Sequence, residues 1–222
     1  MKKLGLILIF FAFMLPDSSC QKVYTVSIED YNTVIELTYK ASNDIKENKS
    51  NAALQKLLKA LQIDSTYRQI YLQLYQVGKL NAENADIIIK ALNKGKRIFE
   101  EDDELFFYCG EIYRYNSDYD KAIIEFTNAI SYSKVNGEDF YLVPYYYSSR
   151  AFCFLKKQNY KEALKDYTGL LKLDPESISG LTNRGITYFN LGEKEKACLD
   201  WKNAEEKGSE IAKKYFEKNC QK

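Results

Sequence analysis

The stretch ELFFYCGEIYRYNSDYDKAIIEFTNAISYS, residues 104–133, decides the fold. From Leu105 to Tyr115, and again from Asp118 to Ser131, apolar side chains recur three and four residues apart, the spacing that covers one face of an α-helix. Asn116-Ser117 interrupts the run, so the stretch reads as two helices joined by a tight turn. Phe106, Gly110, Tyr113, Ala122, Phe126 and Ala129 hold a spacing that returns as Tyr147, Ala151, Phe154, Ala163, Tyr167 and Leu170. It returns once more as Leu181, Gly185, Tyr188, Ala197, Trp201 and Ala204. Small residues such as Gly110, Ala151 and Gly185 let the first helix approach the second closely, and Phe126, Tyr167 and Trp201 fill the space on the second helix.

The rest of the composition agrees with helix. Apolar residues make up 45% and charged residues 28% of the 222, ordinary values for a chain that folds. Only 3 prolines and 10 glycines are present, too few turn formers for a sandwich of short strands. Formal charge is +1, and the charges balance once Lys2, Lys3 and Asp17 are set aside, so no field that would steer nucleic acid is expected. With no histidine, His-based acid/base chemistry, Ser-His triads and the commonest zinc sets are excluded. The acidic run Glu100 to Glu104 reads as a solvated helix start, and no phosphate loop or nucleophile elbow occurs. No enzyme activity, cofactor or metal is expected.

The repeated pattern resembles the tetratricopeptide-repeat (TPR) family, whose unit of about 34 residues carries a Trp-Leu-Gly-Tyr-Ala-Phe-Ala-Pro skeleton. The resemblance implies an all-α, right-handed superhelical solenoid of about five helix pairs, with repeats at 34–67, 68–102, 103–136, 144–177 and 178–211. In the first, Leu37, Ala41, Ala53, Leu57 and Ala60 fit, while Asp44 stands where a ring is expected. The second is degenerate: Tyr75 replaces the small residue and Gly78 the aromatic.

Two features depart from a uniform array. The interval from Ala122 to Ala163 exceeds that from Ala163 to Ala197, placing an insertion around Val135 to Pro144. It is either an extended helix whose Phe140-Tyr141-Leu142-Val143 run packs inward, or a loop overhanging the binding surface. At the other end, 209–219 is amphipathic, with Ile211, Ala212, Tyr215 and Phe216 on one face, and reads as a capping helix. Cys198 and Cys220 lie at nearly equal distances from the turn near Gly208, so an antiparallel hairpin sets them side by side as a disulfide. Cys109 and Cys153 read as buried free thiols.

Residues 1–20 read as a secretory leader: Lys2-Lys3, the apolar stretch Leu4 to Leu15, and a small polar zone from Pro16 to Cys20. Two readings of Cys20 stand. Ser18-Ser19-Cys20 resembles the end of a lipobox, which makes Cys20 the lipidated first residue, although Asp17 occupies the place of the usual aliphatic residue. Cleavage after Cys20 instead starts the mature chain at Gln21. Either way the expected location is outside the cytoplasm, periplasmic or outer-membrane-associated, with membrane contact only through the Cys20 lipid.

In the resembled family the first helices line a concave groove, into which repeat positions 2, 5, 9 and 12 point. The resemblance therefore implies a groove made by Glu104, Phe107, Glu111 and Arg114, then Tyr145, Ser148, Phe152 and Leu155, then Ser179, Thr182, Ile186 and Phe189. Rings with a flanking Arg114 and Glu111 suit a peptide or protein segment with apolar anchors. Thr38 and Ser42 do not reproduce the Lys and Asn carboxylate clamp of chaperone-binding members. The implied function is a protein-protein interaction scaffold or adaptor of the bacterial envelope. The alternative is a glycan or small-ligand binding protein of an outer-membrane uptake system, suggested by the 19 tyrosines.

Overall fold

The computed structural model describes residues 26–136 and 141–220. The leader with Cys20, and Gly137 to Phe140 of the insertion, lie outside the described residues. The described residues hold eleven α-helices, a 3-10 turn at Ala82–Asn84 and no strand. The helices are α1 Ile28–Lys46, α2 Ser50–Ile63, α3 Gln69–Leu80, α4 Ala85–Lys96, α5 Asp103–Tyr115 and α6 Tyr119–Asn136. They continue as α7 Val143–Lys156, α8 Tyr160–Leu173, α9 Ile178–Asn190, α10 Lys194–Glu206 and α11 Glu210–Cys220.

Local chemistry sets these boundaries. Ser27, Asp102 and Ser177 cap α1, α5 and α9, their side chains accepting hydrogen bonds from the backbone N–H of Asp30, Leu105 and Gly180. Pro144 opens α7, where its missing N–H has no partner to lose. Asn48, Ser117, Gln158 and Gly192 all turn with positive φ, of 58°, 61°, 59° and 82°. Each is the fifteenth residue of its repeat, so the chain reverses with the same left-handed step in four repeats. The second repeat reverses through the 3-10 turn instead.

Each first helix packs on the second helix of its own repeat, and each second helix on the next first helix. The result is an all-α superhelical solenoid whose core runs from Val34 through Cys153 and continues around Ala151, Tyr167 and Leu170. A last cluster, centred on Trp201, lies under α11. In the third repeat a Cβ added to Gly110 would come within 2.5 Å of the Phe126 ring, and in the fifth one on Gly185 would meet Trp201 at 2.5 Å. The second repeat is a helix pair as well, which places Tyr75 and Ala91 at the registers of Gly110 and Phe126.

The insertion resolves partly as helix extension. α6 runs 18 residues against 14 for α8; Val143 is buried and Leu142 packs on the core, while Tyr141 is exposed. The cap forms as α11, with Ala212 buried, Phe216 packed beneath and Tyr215 stacked on Trp201 at 5.0 Å. Ile211 departs from the expected face. It is 62% exposed, because the turn at Gly208 rotates α11 so that Ala212 and Phe216, one helical turn apart, meet α10. Cys198 and Cys220 form a disulfide, with Cα atoms 5.8 Å apart, while Cys109 and Cys153 are free and buried.

Candidate partner-binding groove

Successive first helices touch one another, α1 to α3, α3 to α5, α5 to α7 and α7 to α9, so the array curves with them on its inner face. That inner face divides the expected groove residues into two sets. Phe107 is buried among the rings of Tyr75, Tyr108, Phe126 and Tyr146. Glu111 is buried, its carboxylate accepting two hydrogen bonds from Arg114, at 2.8 and 2.7 Å, and one from the Ser149 hydroxyl at 2.8 Å. Thr182 is buried and donates to the Ile178 carbonyl. Glu104 accepts from Arg68 at 2.8 Å and from the Tyr108 hydroxyl at 2.6 Å. Of these four positions, all expected to face a ligand, Phe107, Glu111 and Glu104 contact side chains of neighbouring repeats, while Thr182 is held within the fifth repeat, beside the Ser209 hydroxyl at 3.1 Å.

The other candidates reach solvent. Tyr145 is 58% and Phe189 42% exposed, Ser179 is exposed, and Ser148, Phe152, Leu155 and Ile186 are half-buried. Arg114 lies between two rings, 4.5 Å from the Tyr115 centroid and 5.4 Å from that of Phe152. Burial alone would lower the pKa of its guanidinium, but the fork to Glu111 outweighs this and raises it. Lys156 lies 5.2 Å from the Phe152 ring and Lys79 5.5 Å from the Tyr75 ring. The C-terminal ends of α3, α5 and α7 thus carry a strip of cations laid over rings.

Tyr115 and Lys156, which belong to this strip, stand at position 13 and so fall outside positions 2, 5, 9 and 12, whereas Lys79 is position 12 of the second repeat, the register of Arg114 in the third. The sequence signals for it were Lys79 at that register and Tyr75, a ring where other repeats carry a small residue. Tyr75 stacks on Tyr108 at 4.7 Å with an interplanar angle of 8°, and burial, with Glu111 nearby, holds its phenol neutral. Polar bonds connect the repeats beneath the rings. Arg68 forks onto Asp102 at 2.6 and 2.9 Å, and the Tyr146 hydroxyl donates to Asp103 at 2.8 Å. Four skeleton rings, Tyr71, Phe126, Tyr167 and Trp201, are fully buried and structural. Among the described residues, no His, Cys, Asp and Glu cluster suits a metal ion and no helix is long and apolar enough to cross a membrane.

Residues 144–177 match the family model described as Tetratricopeptide repeat. Among curated proteins, the chain is 38% identical over 60 residues to Hsp70-Hsp90 organizing protein 1 of Glycine max, covering 27% of this chain and 10% of that protein. It is 26% identical over 189 residues to Hsp70-Hsp90 organizing protein 2 of Arabidopsis thaliana, covering 78% of this chain and 31% of the relative. The chain thus spans about a tenth to a third of the length of these relatives. Among solved structures, MamA superposes with a TM-score of 0.64 at 17% identity, covering 82% of this chain and 96% of that one. YrrB, described as a TPR protein with an unusual peptide-binding site, gives 0.63 at 20% identity, covering 86% and 95%. Residues 144–177 are thus matched as a tetratricopeptide repeat, and the described array has the same helix-pair fold as these solved TPR structures.

Proposed function

We propose that this chain is a non-catalytic scaffold that holds a peptide or protein segment against its inner face, in the envelope of a bacterial cell. The observation that carries the reading is the strip on consecutive first helices where Arg114 lies between Tyr115 and Phe152, with Tyr145 on α7 and Phe189 on α9 also exposed. Exposed rings on a rigid scaffold anchor a partner at small entropic cost, and the cations give the bound segment a direction. Repeat proteins of this kind mediate protein-protein contact, as the names Hsp70-Hsp90 organizing protein and peptide-binding YrrB state for those relatives. A chaperone-tail clamp is not part of the proposal, since Thr38 is buried and donates to the Val34 carbonyl.

A photo-crosslinking residue placed at Phe152 or Phe189 should capture one partner, and the same residue at the outward-facing Leu199 should not. Equal capture from Leu199, or capture undiminished by Tyr115→Ala with Phe189→Ala, rules the groove out. Export is supported by the leader pattern and by the Cys198–Cys220 disulfide, which suits an oxidising compartment. The intact mass of the cellular protein tests it: a chain still starting at Met1 overturns export, and a diacylglyceryl mass on Cys20 selects the lipidated form.

A further inference from the structure

The outer face carries a second feature that the groove does not use. Between α6 and α8 lies a cleft of about 700 Å³, whose rim is formed by Lys134, Lys161, Lys165 and Lys172. None of these lysines forms an ion pair among the described residues. Asp166 is the carboxylate in the cleft wall, and both its oxygens are taken by Arg150, at 2.7 and 2.8 Å. Arg150 spends a further N–H on the Thr127 hydroxyl at 3.0 Å. The four lysines are therefore without a direct carboxylate partner, a local basic rim on a chain whose formal net charge is only +1.

Comparison between repeats separates this cleft from ordinary repeat surface. At the register of Gly169 the second, third and fifth repeats carry Asn93, Asn128 and Asn203. At the register of Lys165 they carry Ile89, Ile124 and Leu199, and at that of Lys161 the third and fifth carry Asp120 and Glu195. The fourth repeat alone of these has a glycine on the floor and lysines on the rim. An asparagine at 169 would fill the floor, because even a Cβ there would lie 3.3 Å from the Tyr147 ring.

We infer that the cleft between α6 and α8 is a second binding site, for an acidic amphipathic peptide segment. Lys161 and Lys172 are three turns apart, about 16 Å along α8, so the charge is spread along a line rather than focused on a point. A compact phosphate calls for converging donors and the arginine fork, and here that fork is occupied by Asp166. Leu164 and Leu173 also line the cleft, one on each flank of the lysine row, and this aliphatic surface beside the charges matches apolar side chains set among carboxylates better than a sugar-phosphate backbone.

The test is fluorescence anisotropy with the mature chain and a short labelled peptide that alternates glutamate and leucine at helical spacing. Binding is expected, weakening with salt, and falling by about tenfold or more in Lys161→Glu/Lys165→Glu/Lys172→Glu. All three lysines are exposed, so the variant should melt like the parent. Gly169→Asn should weaken binding while retaining the charges, and Phe152→Ala with Phe189→Ala should leave it unchanged, which separates this site from the inner groove. The inference is overturned if the parent chain does not bind the peptide, if the lysine reversals leave binding intact, or if the groove variant abolishes it. Preferential competition by polyphosphate or single-stranded DNA also overturns it.

Discussion

Gly95 of α4 lies against the ring of Tyr71 on α3, so close that a Cβ on the glycine would stand 2.6 Å from Tyr71 Cε1. The third repeat makes the same contact with the helices exchanged, glycine on the first and ring on the second, in Gly110 and Phe126. The second repeat is therefore an inverted solution to the packing problem, with Tyr71 also meeting Phe99 edge-on at 5.8 Å. Gly95→Ala should destabilise the protein by about 1–3 kcal/mol, the usual cost of overpacking a closed contact. Urea unfolding followed by helical circular dichroism measures it, and a stabilised variant would contradict the packing assignment.

Reduction of the cap disulfide should be felt first at the end of the array. The Cys198–Cys220 bond closes a separation of 22 residues, for which chain entropy suggests about 3 kcal/mol. Trp201, stacked on Tyr215 and bonded through its N–H to the Thr182 carbonyl, reports on that region. Cys198→Ser with Cys220→Ser should bring the Trp201 fluorescence transition to lower temperature, ahead of the helical signal. Coincident, unshifted transitions would show that the cap holds without the bond.

Arg150–Asp166 and Arg184–Asp200 are the same bidentate pair in consecutive repeats, each joining the first helix to the second. In the third repeat those registers hold Cys109 and Glu125, and Glu125 instead takes Lys96 from the preceding repeat at 2.8 Å. Asp166 is buried, so Asp166→Ala leaves a guanidinium without its partner and should cost about 3 kcal/mol. Replacing both, Arg150→Met with Asp166→Leu, should recover most of it. A double variant as unstable as the single one would mean that the pair does more than satisfy its own charges.

The two free thiols should be inert in the folded protein. Burial pushes both Cys109 and Cys153 up to about 12, from an ordinary 9.0, and the thiolate is the reactive form. A thiol reagent at neutral pH should label neither until urea unfolds the chain. Because the folded pKa values are raised, the stabilisation from keeping these thiols neutral is complete below 9.0 and is lost as pH rises toward 12. The alkaline fall in the urea midpoint should accordingly be smaller in Cys109→Ala with Cys153→Ala; an identical fall would assign it wholly to other groups.

The sequence by itself determined the helix pairs, their frame and the small-against-ring skeleton, because these depend on spacing within one helix or across one short turn. It brought Cys198 and Cys220 together for the same reason, since a single hairpin relates them. Tertiary structure alone decided which first-helix residues reach solvent. Phe107 and Phe152 both stand at groove positions, yet Phe107 is closed in by Tyr75, Tyr108 and Tyr146 from three helices while Phe152 stays half-open beside Arg114. It also decided that Tyr71 and Gly95 exchange roles, and that four lysines surround a cleft floored by Gly169. Periodicity records where a side chain points on its own helix; what covers it depends on side chains of neighbouring repeats, tens of residues away in the chain.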